Sequence, residues 1–270
     1  MTPDIDKVTA IIREAAAVEV LPRFRRLAEC DISEKRPGEV VTVADVAAEV
    51  HLARALTGLL PGSAVVGEEM AEAEADVLGN LRAEPLAWII DPVDGTQNFA
   101  DGNVCFAMIV ALWHKGETVA GWLHDPIGNT TVTAEIGSGA VEGDRRLRLA
   151  GDRLPGDLSG TIGKRLRGVL ETKRKTGEPG IPKPLERYGS IGREYMDIAR
   201  GRIDFMRCAG KLKPWDHAAG VLIHSEAGGY NARSVDRGRY WAAAPVQGSP
   251  ILMAPDRAAW EALHAIFGPQ

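Results

Sequence analysis

The sequence predicts a layered α/β or α+β protein built in two subdomains. Three observations predict it. Five β-prone segments, bounded by Gly, Pro, Asp or Asn, crowd between residues 63 and 134. After residue 190, short strands alternate with helical periodicities. The composition is that of a globular chain, 45% apolar and 26% charged over 270 residues, enough for one or two domains.

The elements follow in order. Thr2-Pro3 reads as a helix N-cap with proline at the first helical position. Ile5, Val8, Ile11, Ile12 and Ala15 recur at helical spacing, so a first helix is expected to run to about residue 29. Residues 40–43 form a short strand, and Asp45 sits where an N-cap would sit. Val46, Val50, Ala53, Leu56 and Leu60 then mark the apolar face of a second helix, ended by Pro61-Gly62. Strands are expected at 63–66, 86–90, 104–113, 118–124 and 130–134. Residues 143–189 are polar and turn-rich, with Pro155, Pro179, Pro182 and Pro184, and make the natural seam between subdomains 1–145 and 146–270. Helices at 193–200, 216–227 and 256–266 and strands at 203–207 and 251–253 complete the chain, with Gly228-Gly229 as a C-cap.

Composition narrows the function classes. Lys and Arg total 32 against 37 Asp and Glu, a net charge of −5, which argues against a nucleic-acid binder acting through bulk basicity. Three scattered cysteines, Cys30, Cys105 and Cys208, make neither a disulfide framework nor a zinc cluster. The start shows no basic region followed by an apolar core, and the most apolar run, 104–113, is too short to span a bilayer. A soluble cytoplasmic protein without membrane or nucleic-acid partners is the expectation. Glycine, at 30 residues, is abundant and implies many tight turns or close backbone approaches.

The chemistry concentrates in Trp88-Ile-Ile-Asp91-Pro-Val-Asp94-Gly-Thr96. An apolar strand runs into two carboxylates that repel each other unless a cation lies between them. Mg2+ suits such hard oxygen ligands. Gly95-Thr96 could open a turn whose free amides accept phosphate, although Asp, Pro and Gly also make ordinary turns. Glu68 and Glu69 follow a second strand end and could equally belong to a solvated loop. Asp216 lies in the first turn of a helix built from small residues and could simply cap it. Asp45 adds an acid at a strand-to-helix junction.

Together these segments carry a resemblance. Val41-Thr42-x-x-Asp45, Gly67-Glu68-Glu69, Asp91-Pro-Val-Asp94-Gly-Thr96 and Trp215-Asp216-x-Ala-Ala-Gly220 are similar, in order and spacing, to the motifs of the inositol monophosphatase family. Those proteins are Mg2+-dependent, lithium-sensitive phosphomonoesterases. Gly121-Trp-Leu-His-Asp-Pro126, Gly137-Ser-Gly-Ala140, Tyr188-Gly-Ser190 and Glu226-Ala-Gly-Gly229 support the resemblance, which covers nearly the whole chain.

The resemblance implies an alternating α-β-α-β-α sandwich, a homodimer, and two or three Mg2+ ions. Glu68, Asp91 and the Val93 carbonyl would hold one metal. Asp91, Asp94 and Asp216 would hold a second. Asp45 and Thr96 would orient the attacking water, with Glu69 beside them or near a third ion. The amides of Gly95 and Thr96 would grip the phosphate, beside Gly189 and Ser190, and the basic side chains of Lys211 and Lys213 are, on their charge alone, further substrate-side candidates. The implied reaction is in-line displacement by metal-activated water on a small phosphomonoester, with inositol monophosphate or a related sugar or polyol phosphate as the expected substrate.

The chain departs from that pattern at the substrate end. Inositol-specific members carry an acid about seven residues before the Trp-Asp aspartate; here the position falls on Ala209 or Cys208. Leu212-Lys-Pro-Trp-Asp216 resembles the histidinol-phosphate phosphatase branch, which also keeps that acid. Gln97 and Asp101 replace residues common in relatives. Lys164, Arg165, Arg167, Lys173, Arg174 and Lys175 form a basic cluster, read either as a solvated helix face or, with Lys211 or Lys213, as a site for a second anionic group. The second reading points to a bisphosphate such as 3′-phosphoadenosine-5′-phosphate or fructose 1,6-bisphosphate. A partner-binding protein without catalysis is the non-enzymatic alternative.

Overall fold

The computed structural model describes residues 3–73, 81–243 and 249–269. Helix α1 spans Ile5–Ala15 and starts at Asp4, whose carboxylate accepts from the amides of Asp6 and Lys7. The expected cap at Thr2 lies outside the described residues. The helix does not run to residue 29. It passes into a single π-helical turn, Ala16–Val20, and Pro22 follows, which cannot donate the next hydrogen bond.

Strands β1 (Ile32–Arg36) and β2 (Glu39–Thr42) form an antiparallel hairpin. The polar ISEKR sequence of β1 gave no strand signal. Helix α2, Val43–Leu59, is capped by Thr42, not Asp45. Asp45 is instead the third helical residue and reaches back to the Thr42 amide, closing a capping box. The buried stripe of α2 also differs from the expected one. Ala44, Ala48, Leu52 and Leu56 face the core, while Val46 and Val50 are exposed. The alanines let the helix axis approach the sheet closely.

Strands β3 (Ala64–Gly67), β4 (Leu86–Asp94), β5 (Ala107–His114), β6 (Glu117–Asp125), β7 (Thr130–Glu135), β8 (Gly139–Glu142) and β9 (Arg145–Leu147) form one sheet in chain order. Only the β3–β4 pair is parallel. The short helices α3 (Glu68–Ala73) and α4 (Thr96–Ala100) follow β3 and β4 directly. A second sheet has the order β11-β10-β12-β14-β13, from β10 (Ser159–Thr161), β11 (Lys183–Leu185), β12 (Phe205–Cys208), β13 (Tyr230–Arg233) and β14 (Ile251–Ala254). The remaining helices are α5 (Lys164–Lys175), α6 (Ile191–Ala199), α7 (Pro214–Glu226) and α8 (Arg257–Phe267).

Side-chain alternation assigns the layers. Trp88, Ile90, Val110 and Trp122 pack on Val8 and Ile12 of α1 and Leu52 and Leu56 of α2. Their neighbours Ile89, Ile109, Ala111 and Leu123 face the other way, onto Tyr195 of α6 and Ala219 and Ile223 of α7. Met206, Ile251 and Met253 of the second sheet close the same core from beyond those helices. Phe205, Leu252 and Ala254 point outward onto Leu170 of α5 and Trp260 and Leu263 of α8. The order is therefore helix, sheet, helix, sheet, helix. Burial on both faces explains why β4 and β5 read as continuous apolar runs.

Candidate active site

The parallel pairing of β3 and β4 brings two chain ends together. Gly67 lies opposite Ile90, so Glu68 and Asp91 emerge side by side. Asp91 and Asp94 are three positions apart and would point to opposite faces of a regular strand. They do not, because the pairing with β5 is irregular between them: Asp91 opposes Ile109, while Asp94 opposes Ala107. The extra residue on β4 is a bulge that re-aims the strand end.

Asp45 is almost fully buried, at 1% exposure, and both its oxygens are used. Oδ2 accepts from the Thr42 amide at 2.9 Å and the Thr42 hydroxyl at 2.6 Å. Oδ1 accepts from Thr96 Oγ1 at 3.0 Å, and the same hydroxyl lies 3.1 Å from the Val93 carbonyl oxygen. Burial pushes Asp45 up to about 6, against the opposing pull of its hydrogen bonds. Gly95 connects Asp94 to Thr96 in the left-handed region, at φ +90°, and a Cβ there would lie 3.0 Å from the Gly189 carbonyl oxygen and from Ser190 Cβ. Glycine is required at this position on both counts.

Asp94 serves as an acceptor at the start of α6. Ser190 Oγ donates to Oδ2 at 2.5 Å, and the amides of Ile191 and Gly192 donate at 3.0 and 2.7 Å. Burial raises Asp94 to about 6 in spite of these donors. The loop before α6 is clamped from the other side by Asn98, whose amide nitrogen donates to the carbonyls of Cys105 at 2.7 Å and Tyr188 at 2.9 Å.

Asp91 has a buried oxygen, Oδ1, with no hydrogen-bond partner. Burial first, then the charges of Glu68, Asp94, Asp216 and Asp45, raise its carboxyl well above the ordinary range. Asp216, in the first turn of α7, is raised by burial and by Glu68 and Asp94. Two lysines offset part of this charge. Lys35 of β1 lies 2.6 Å from Glu69 and 3.7 Å from Glu68, and Lys213 lies 3.7 Å from the same Glu68 oxygen. Burial pushes Glu69 up to about 7. Lys211 is exposed.

Among the described residues, no three His, Cys, Asp or Glu side chains converge tightly enough to hold an ion as they stand. Glu68 and Glu69 face lysines, and Asp94 is held by the start of α6. The donor set nonetheless fits a hard divalent cation. Carboxylates held this close raise one another's proton affinity, and an orphaned carboxylate oxygen sits among them.

Several further residues shape the site without belonging to any motif. Lys35 sits on a hairpin with no motif. Glu49 lies four residues after Asp45 on α2, a spacing that puts both on one helix face and could have revealed it. Arg187 and Glu194 form an inner network beside the substrate end. Arg187 donates to Glu194 at 2.8 Å and lies 3.6 Å from Cys208 Sγ. Glu194 also accepts from Thr161 at 2.6 Å and the Tyr188 amide at 2.8 Å.

Residues 4–265 match the model of the inositol monophosphatase family. The chain belongs to that family. It is 34% identical over 214 residues to an inositol-1-monophosphatase of Mesorhizobium japonicum, covering 77% of each chain. It is 30% identical over 235 residues to Nus factor SuhB of Xylella fastidiosa, covering 84% of this chain and 81% of the relative. The Thermotoga maritima IMPase structure superposes with a TM-score of 0.79 at 23% identity, covering 97% of this chain and 96% of that one. The extragenic suppressor protein suhB of Bartonella henselae gives 0.74 at 26% identity, covering 96% and 98%. The expected sandwich is thus the fold of this family. Among the described residues, no helix is long and apolar enough to cross a membrane.

Proposed function

We propose that the chain is a Mg2+-dependent phosphomonoesterase acting on a small phosphorylated metabolite, inositol monophosphate or a related sugar or polyol phosphate. The observation that carries this reading is the pairing of β3 with β4, which sets Glu68 beside Asp91, whose buried Oδ1 has no partner and whose carboxyl is raised by burial and by the charges of Glu68, Asp94, Asp216 and Asp45. Glu68, Asp91 and the Val93 carbonyl would hold one ion, and Asp91, Asp94 and Asp216 another, with Glu69 available to a third. Bound Mg2+ supplies charge neutralisation on the phosphoryl group and lowers the pKa of water.

The chain's own residues do the rest. Thr96, held between Asp45 and the Val93 carbonyl, can accept a water proton through its hydroxyl and relay it to Asp45. Gly95 and Thr96 present amides where α4 begins, and Gly189 and Ser190 wall the same turn. Lys213, beside Glu68 and over the Trp215 ring, would meet a phosphate oxygen.

A second substrate reading rests on Cys208. The position expected to carry an inositol-binding acid falls on Ala209 or on Cys208, a buried thiol facing Arg187. Arg187 is itself paired with Glu194, so this reading rests on the missing carboxylate and on Lys211 and Lys213, which suit a leaving group bearing its own anion, such as a bisphosphate, better than the cationic group of histidinol phosphate. Relatives bearing the name Nus factor SuhB support a third, partner-binding reading. Cytoplasmic location, a homodimer and lithium sensitivity belong to the proposal too.

The test is phosphate release from inositol 1-phosphate, histidinol phosphate, 3′-phosphoadenosine-5′-phosphate and fructose 1,6-bisphosphate, with Mg2+ and with added Li+. Mg2+-dependent release that is lost in Asp94→Asn and Asp216→Asn supports the enzyme. No release from any of them by folded protein supports the binding role.

A further inference from the structure

Glu49 has no part in the metal or phosphate scheme, yet it is 3% exposed and its carboxylate is fully committed. Oε2 accepts from the Glu69 amide at 2.8 Å, and Oε1 accepts from the Met70 amide at 2.9 Å. Both amides belong to the first turn of α3, which has no intrahelical partners for them. A single side chain from α2 therefore fixes the backbone that carries Glu68 and Glu69.

Gly67 makes the room for it. A Cβ on this last residue of β3 would collide with the Glu49 carboxylate. The carboxylate thus fills the notch left by a missing side chain, one residue before Glu68. Asp45, on the same face of α2 and four residues earlier, accepts from the Thr96 side-chain hydroxyl. One helix face positions both banks of the site, Asp45 toward the end of β4 and Glu49 toward the end of β3.

We infer that Glu49 is a positioning residue for the cation site, orienting the Gly67–Met70 turn so that Glu68 is presented beside Asp91 and Glu69 beside Lys35. The inference rests on the metal reading above. A merely structural cap would change stability and leave cation affinity alone. A positioning residue must change cation affinity even where the fold is intact.

The experiment is Mn2+ binding to the full chain, followed by electron paramagnetic resonance, with Mg2+ titration of phosphatase activity as a second readout. Wild type, Glu49→Gln and Gly67→Ala are compared. Glutamine keeps the shape but cannot accept from both amides. Gly67→Ala pushes on the intact carboxylate from the other side, so it tests the same contact if Glu49→Gln fails to fold. Expected is a loss of Mn2+ affinity of about 10–100-fold in each folded variant. The half-saturating Mg2+ concentration should rise in step, and kcat at saturating Mg2+ should fall much less. Wild-type Mn2+ affinity in folded variants, with only a lowered Tm, overturns the positioning role. Absence of Mn2+ binding in the wild type overturns the metal reading itself, and this inference with it.

Discussion

Ser190 Oγ lies 2.5 Å from Asp94 Oδ2, joining the N-cap of α6 to the end of β4 across 96 positions of sequence. The same hydroxyl accepts from the Arg193 amide. One serine therefore caps a helix and aims a carboxylate.

Ser190→Ala should act on both. Loss of the cap costs about 1 kcal/mol of stability. Loss of the donor should raise the Mg2+ requirement by about 10-fold or more, as removal of a ligand's supporting hydrogen bond does in metal sites. Chemical denaturation and a Mg2+ titration of activity check the two effects separately.

Asp45→Asn should lower kcat by about 100-fold or more, the range for removing a positioned general base. Asparagine retains one acceptor oxygen, so it cannot serve both the Thr42 pair and Thr96. Thr96→Val removes the hydroxyl from the same chain of bonds. The double variant should be scarcely worse than either single one. Independent, multiplying losses in steady-state kinetics would separate the two residues and refute their shared role.

Stability should fall on acidification through an effect remote from Asp45. Burial lowers both His124 and His224 to about 4, from 6.5 when unfolded. Between those values the unfolded chain takes up protons that the folded chain refuses, so stability decreases as pH falls from 6.5 towards 4. Each histidine contributes up to about 3 kcal/mol to that decrease. Denaturation free energies measured across this window should have a shallower slope in His224→Gln, whatever its absolute stability.

The site acids have the opposite sign. Asp45 and Asp94 are raised to about 6, so without metal their contribution is present below 3.8 and lost as pH rises through 6. Mg2+ at a hundredfold excess over its Kd should add about 2.7 kcal/mol. The gain in Tm on adding Mg2+ should be larger at pH 8 than at pH 5, where protons compete for the same oxygens. Equal gains at the two values would count against a carboxylate site.

Much of this molecule was legible before its structure. The buried strands β4 to β7 announced themselves as apolar runs between turn residues, and the order of Thr42, Glu68, Asp91, Thr96 and Asp216 carried the family and its layered sandwich. Local pattern failed where a tertiary contact decides. Val46 and Val50 looked like a core face, but close packing selected Ala44 and Ala48. Lys35 carries no local signal, because it matters only through a neighbour brought near by the hairpin, and Glu49 offers only its spacing of four from Asp45 on α2. The bulge between Asp91 and Asp94 was equally hidden, since Pro-Val between two acids reads as a turn.

That tie from Asp94 to the start of α6 has a consequence for synthesis. The strand that presents the acids emerges from the ribosome about 100 residues before the amides of Ile191 and Gly192 that quiet one of them. At typical elongation rates of about 5–20 residues per second, the interval lasts several seconds or more. During it the nascent first sheet also lacks the helices that later cover Ile89, Ile109 and Leu123. The acid-bearing end of the first sheet is therefore completed only when α6 and α7 arrive, and a chain stopped short of residue 190 would leave both its charge and its apolar face uncovered.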